Sequence, residues 1–100
     1  MKLEYLCLDE NFIKSFNNLY LLPRLKHLFI RYNKVSDFNE LEGLQAIPSL
    51  IELDLSNNPL SRKYGYRFLL LQKLPGLISL DGQVFIPFKL EYDCRRKGKT

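Results

Sequence analysis

The stretch LIELDLSNNPL, residues 50–60, decides the fold. It sets Leu50, Leu53, Leu55, Asn58 and Leu60 on the template L-x-x-L-x-L-x-x-N-x-L. The same template fits twice upstream, as Leu3, Leu6, Leu8, Asn11, Ile13 and as Leu25, Leu28, Ile30, Asn33, Val35. A fourth copy opens with Leu77 and Leu80 and breaks off at Gly82. The copies start 22, 25 and 27 residues apart. Self-similarity at such a period marks an array of stacked units, each unable to bury its apolar face alone.

Each copy dictates a short strand. Side chains alternate along a strand, so the two aliphatic residues of L-x-L point one way and the residue between them the other. Leu6 and Leu8, Leu28 and Ile30, and Leu53 and Leu55 are therefore the expected interior. Stacked units lay these strands side by side in a parallel sheet. Three residues after the last strand aliphatic, the chain must turn and its backbone groups leave the ladder. A carboxamide both donates and accepts, so it satisfies those groups. That chemistry predicts a ladder of structural asparagines at Asn11, Asn33 and Asn58.

The return segments carry apolar residues about every third position: Phe16, Leu19, Leu22, then Phe38, Leu41, Leu44, Ile47. A spacing of three suits 3-10 or short helical turns. Asp37 and Glu40 are spaced as in a capping box, and Gly43 disfavours a long helix there. Pro23 and Pro48 each stand two residues before a template leucine, where they end the turn. The third return segment differs. Tyr66, Leu69, Leu70 and Lys73 follow helical spacing, and Pro75 stops the pattern, which predicts a helix near residues 65–74. VFIPFKLEY, residues 84–92, is apolar and aromatic and reads as a segment folded over the last sheet edge. The expected division is repeats over residues 1–82, a cap segment over 83–93 and a disordered basic tail over 94–100.

The bulk properties exclude several classes. One hundred residues make one small domain. No apolar run approaches the ~20 residues that span a bilayer, and the N-terminus lacks the apolar core of a secretory signal. Cys7 and Cys94 lie at opposite ends of an elongated array, which argues against a disulfide and for a reducing, cytoplasmic setting, with cilium or nucleus as the alternatives. The net charge of +4 divides evenly between the last ten residues and the first ninety. Basicity is thus concentrated in the tail, and it is weak support for nucleic-acid binding.

These motifs resemble the leucine-rich-repeat family, in its short 22-residue type, as in phosphatase-1 regulatory subunits, spliceosomal A-prime proteins and longer ciliary proteins. Residues 58–82 are also similar to the C-terminal cap of that family, through Tyr66–Arg67, Leu74–Pro75–Gly76–Leu77 and Leu80–Asp81. The resemblance implies an α/β right-handed solenoid. Parallel strands line its concave side, short helical or 3-10 turns its convex side, and a cap closes its C-terminal end. Tyr66, Arg67, Pro75 and Asp81 are the cap residues it implies. Family members begin with an N-terminal cap, whereas this chain begins two residues before a template leucine. The expectation is a fragment of a longer array, with an uncapped edge open to self-association.

In such a solenoid the outward strand residues form the concave face. They are Tyr5, Cys7 and Asp9; His27, Phe29 and Arg31; Glu52, Asp54 and Ser56; then Ser79 and Asp81. Phe29 is a large apolar residue on a solvated face, beside His27 and Arg31. Aromatic and arginine side chains in a shallow groove are typical interface anchors. The blander alternative packs Phe29 on Cys7 and Tyr5 and pairs Glu52 and Asp54 with Arg31 and Lys26. His27 with Cys7 suggests a Cys–His pair, but no third group is seen to orient the imidazole. Cys7, His27, Glu52 and Asp54 lack a recognised metal-ligand spacing. No enzyme activity and no cofactor are expected. Tyr64 and Tyr66, with Arg62, Lys63 and Arg67, form a basic-aromatic cluster that the cap resemblance accounts for better than nucleic acid does. The leading expectation is a scaffold that binds another protein on the concave face. The rivals are a ribonucleoprotein component using Arg62–Arg67 and Arg95–Lys99, and a purely structural piece of a longer protein.

Overall fold

The computed structural model describes residues 3–16 and 19–84. The elements run in chain order as follows: β1 (Tyr5–Cys7), a 3-10 turn (Leu19–Leu21), β2 (His27–Phe29), a 3-10 helix (Phe38–Ala46), β3 (Glu52–Asp54), a 3-10 turn (Pro59–Arg62), α1 (Tyr66–Lys73), β4 (Ser79–Leu80) and β5 (Gln83–Val84). The strands form one sheet in sequence order. The first four are parallel and β5 closes the sheet antiparallel to β4. Leu6, Leu28, Leu53 and Leu80 fall in one row across the sheet. This is the leucine-rich-repeat solenoid.

The core is the template. Leu25, Leu28, Val35, Leu53, Leu55, Leu60 and Leu80 are fully buried, joined by Leu41 and Leu44 from the second return segment and Leu70 from α1. Burying each such side chain contributes about 1.5–3 kcal/mol. In the first coil Leu6 and Leu8 are only half-buried and Leu3 is exposed, because β1 lies at the edge of the sheet.

Two asparagines tie the coils together. The Asn33 amide donates to Leu8 O and Arg31 O, and its Oδ1 accepts from Ile13 N–H. Asn58 repeats the arrangement one coil on, donating to Ile30 O, Leu55 O and Ser56 O and accepting from Val35 N–H. Asn11 stands at the same offset but is exposed, and bonds only within its own turn, to Leu8 O and Asp9 O. Immediately before each of these asparagines the backbone is left-handed, at Glu10 (φ 59°), Tyr32 (φ 58°) and Asn57 (φ 61°). The template leaves that position open, yet it carries a conformation that L-residues seldom adopt.

The 3-10 helix at Phe38–Ala46 is long for its kind, and the spacing of three puts Leu41 and Leu44 on one inward strip. Asp37 caps it by accepting from Asn39 N–H. Glu40 does not complete a capping box. Its carboxylate reaches the preceding coil and accepts from Phe16 N–H. Gly43 is there for contact: a Cβ would meet Phe16 Cβ and O at 3.2 Å. The helix foreseen near residues 65–74 spans Tyr66–Lys73. Of the predicted cap segment, Gln83 and Val84 are in β5; residues 85–93, the tail 94–100 and Cys94 lie outside the described residues.

Asn58→Ala strands buried partners in two coils and is expected to cost about 3 kcal/mol, whereas Asn11→Ala costs less than about 1 kcal/mol; urea unfolding of the two variants measures the difference. A second expectation comes from the corner turns. Ser49 Oγ donates to Pro23 O and Leu25 O of the preceding corner. Gly76 holds the same place one coil later, and a Cβ there meets nothing within 4 Å. A groove of about 310 Å³ opens at that corner between Pro48, Leu50 and Gly76. Gly76→Ser supplies the missing hydroxyl to Pro48 O and Leu50 O, and should raise the urea midpoint by the equivalent of about 1 kcal/mol.

Candidate functional site

Strand register assembles the concave face in rows. Tyr5, His27, Glu52 and Ser79 form one row, and Cys7, Phe29 and Asp54 the next. A third row is marked by Asp9 and Arg31, since Asp9 Oδ1 accepts from Arg31 N–H at 2.7 Å. The face changes character along the array. Its first two strands present Tyr5, His27 and Phe29; the third presents Glu52 and Asp54.

The aromatic end is one cluster. The Tyr5 ring centroid lies 5.1 Å from that of Phe29 and 6.0 Å from that of His27, with tilted planes. Tyr5 remains 59% exposed, so this cluster offers an apolar surface to solvent. Tilted ring pairs at such spacing are favourable and hold one another's rotamers.

The charged groups pair differently from the simple alternative drawn from sequence. Arg31 does not pair with Glu52 or Asp54. Its Nε and Nη2 sit 3.0 and 2.6 Å from Asp9 Oδ2, on the neighbouring coil. Lys26 pairs with Glu4 at 3.7 Å. Glu52 takes His27, with Nδ1 and Oε1 2.7 Å apart. Asp54 accepts from Ser56 N–H and Oγ–H. The imidazole therefore does have an orienting group, which inspection of the chain missed. The signal was available, since His27 and Glu52 occupy the same template position one repeat apart. Cys7 is not brought to that pair: it lies opposite Phe29, and its thiol donates to Asp9 Oδ2 at 3.3 Å. Among the described residues no three His, Cys, Asp or Glu side chains are grouped to hold a metal ion.

Tyr66 and Asp81, two of the residues expected of a cap, meet at the far end of the sheet. Leu8 N–H donates to Phe29 O, and Ile30 N–H to Asp54 O. The next rung changes acceptor: Leu55 N–H donates to Asp81 Oδ1 at 2.7 Å. Asp81 is left-handed (φ 51°), and its side chain stands where earlier coils present a main-chain carbonyl. Its other oxygen accepts from the buried Tyr66 hydroxyl at 2.9 Å. Burial, then the Asp81 charge, pushes the Tyr66 phenol far above its usual range. Burial, with Asp54 adding repulsion, raises Asp81 despite the bonds it accepts. At the opposite end the Arg31 side chain holds Asp9 below the ordinary carboxylate value. Pro75 opens the turn between α1 and β4.

No family model matches the sequence. Acidic leucine-rich nuclear phosphoprotein 32 family member A of Drosophila melanogaster is 37% identical over 81 residues, 80% of this chain and 31% of that protein. Mouse cilia- and flagella-associated protein 410 is 34% identical over 83 residues, 81% of this chain and 33% of that protein. U2 small nuclear ribonucleoprotein A' of Schizosaccharomyces pombe is 34% identical over 61 residues, 61% of this chain and 26% of that protein. The leucine-rich-repeat domain of Mex67 from Chaetomium thermophilum superposes with a TM-score of 0.72 at 28% identity, covering 81% of this chain and 57% of that one. The chain spans about a third or less of the length of these curated relatives.

The two shifted carboxylates oppose one another in acid. Asp9, lowered, contributes stability that is present above its unfolded value and lost as pH falls through its folded one. Asp81, raised, costs stability while charged, and that cost disappears as pH falls through its folded value. Asp81→Asn keeps an acceptor for Leu55 N–H and should gain more stability at pH 7 than at about pH 4. Arg31→Gln should flatten the acid loss; urea midpoints at both pH values check each variant. The repeats, the asparagine rungs and the relatives agree: the chain belongs to the leucine-rich-repeat proteins.

Proposed function

We propose that the chain is a non-enzymatic interaction module that captures another protein on its concave strand face. One observation carries this reading. Tyr5, Phe29 and His27 form an aromatic cluster on a face the fold leaves open, with Tyr5 mostly in solvent. Carboxylates of Glu52 and Asp54 lie beside it. An aromatic patch with a polar rim is the usual anatomy of an interface core. Rigid strands fix the rings in place, so little side-chain entropy is lost on binding. Cys7, Arg31 and Ser56 frame the patch. Arg31 is committed to Asp9 and serves to lock the first two coils rather than to reach a partner.

The relatives are named for the nucleus and for cilia, and the reading places this module in one of those reducing settings. Among the described residues no helix is long and apolar enough to cross a membrane.

Tyr5→Ala/Phe29→Ala tests the reading. Both rings lie outside the buried core, so thermal melting of the variant should stay near that of the parent chain. Proteins retained from a nuclear or ciliary extract should fall at least about tenfold relative to the parent bait, as expected for aromatic anchors. Equal retention by both baits, with the fold intact, would place the contact elsewhere.

A further inference from the structure

A second surface differs from the concave face in both charge and shape. Between Asp54 and Asp81 the chain has four cations, Arg62, Lys63, Arg67 and Lys73, and no carboxylate. The same segment leaves two aromatic side chains in solvent. Tyr64, in the turn before α1, is 100% exposed, and Phe68, in the first turn of α1, is 65% exposed. Inspection of the chain joins Tyr64 to Tyr66 as one cluster and gives it to the cap. The structure divides that cluster. Tyr66 is buried against Asp81, while Tyr64 and Phe68, four residues apart, stay outside with no ring contact among the described residues. Lys63 is fixed on this side, its ammonium 5.8 Å from the Phe38 ring centroid. An open basin of about 430 Å³ lies between Lys63, Gly65, Arg67 and Phe68.

Single exposed apolar residues are ordinary, but two open rings within a run of four cations are a specific combination. Lys63 and Arg67 line the basin, and a segment with four cations and no carboxylate favours an anionic partner. A nucleobase needs only a flat π-face, with a cation near enough for its phosphate. Asp81 borders the basin, which disfavours phosphate on that side; Lys63 also lines it, and Arg62 precedes Lys63 in the chain. We infer that this strip is a contact site for single-stranded nucleic acid, with bases stacked on Tyr64 and Phe68 and phosphates held by Arg62 and Lys63. It is separate from the concave face, so it stands or falls independently of the reading above.

The test is fluorescence anisotropy of a labelled oligo-uridine of about twelve nucleotides with the full chain. The parent chain should bind, more weakly as salt rises. Tyr64→Ala/Phe68→Ala should weaken binding at least about tenfold with the salt dependence unchanged, because no charge is removed. Tyr64→Ala alone, at a fully exposed position that cannot unfold the protein, should still give a several-fold loss. Arg62→Gln/Lys63→Gln should lower the slope of log K against log salt by about 1.4. Tyr5→Ala/Phe29→Ala should leave oligo-uridine binding unchanged. The inference is overturned if the parent chain does not bind, or if the ring variants bind as it does. It also fails if duplex RNA of equal length binds as tightly, or if poly-glutamate displaces the oligonucleotide at equal concentration.

Discussion

The structure depends on a carboxamide with no water to turn to. Asn58 is 1% exposed and Asn33 3% exposed, and each spends its amide and its oxygen on main-chain groups of its own turn and of the coil before. Left unpaired, those groups would cost about as much as one or two buried leucines return. The leucines drive collapse, but a leucine fits many registers. The asparagine fits one, since donor and acceptor must meet opposite main-chain atoms at the same time. It therefore fixes the stagger of each coil on the next, and the stagger brings Tyr5, His27 and Glu52 into one row.

Much of this was legible in the chain, and the omissions have physical causes. Strand aliphatics and asparagines recur as residue types at fixed offsets, so pattern alone finds them. Tyr32 could not be found that way. Its left-handed backbone recurs at Glu10 and Asn57, and these three side chains share no chemistry. Glu40 looked like half of a local capping box, yet it acts across 24 residues on Phe16 N–H. Local spacing cannot report a bond between coils. The His27–Glu52 pair was accessible in principle, because both occupy one template position. Its two members are 25 residues apart and meet only across the sheet, so neither strand alone displays it. Asn11 shares the offset of Asn33 and Asn58, but among the described residues it bonds only within its own turn, since β1 is the edge strand there.

The faces divide the labour by charge. The concave side gathers its carboxylates toward β3 and β4, and the third return segment gathers cations around Tyr64 and Phe68. The ion pairs on the concave side do different work. Arg31 with Asp9 joins coils, while Glu52 orients His27 beside the Tyr5 ring. Exposed pairs of this kind contribute little to stability, so positioning is their main effect.

Asp81 has a consequence for how the array stops. At earlier rungs the acceptor is a main-chain carbonyl, supplied by whatever residue follows the strand leucine. At the Leu55 rung it is a carboxylate, braced by the Tyr66 phenol of α1. That carboxylate faces back to the third coil, and on its other side β4 is already taken by β5, so a further parallel coil at this edge would have to displace Gln83 and Val84. Adding a repeat at this edge is thus a matter of strand exchange before it is a matter of leucines.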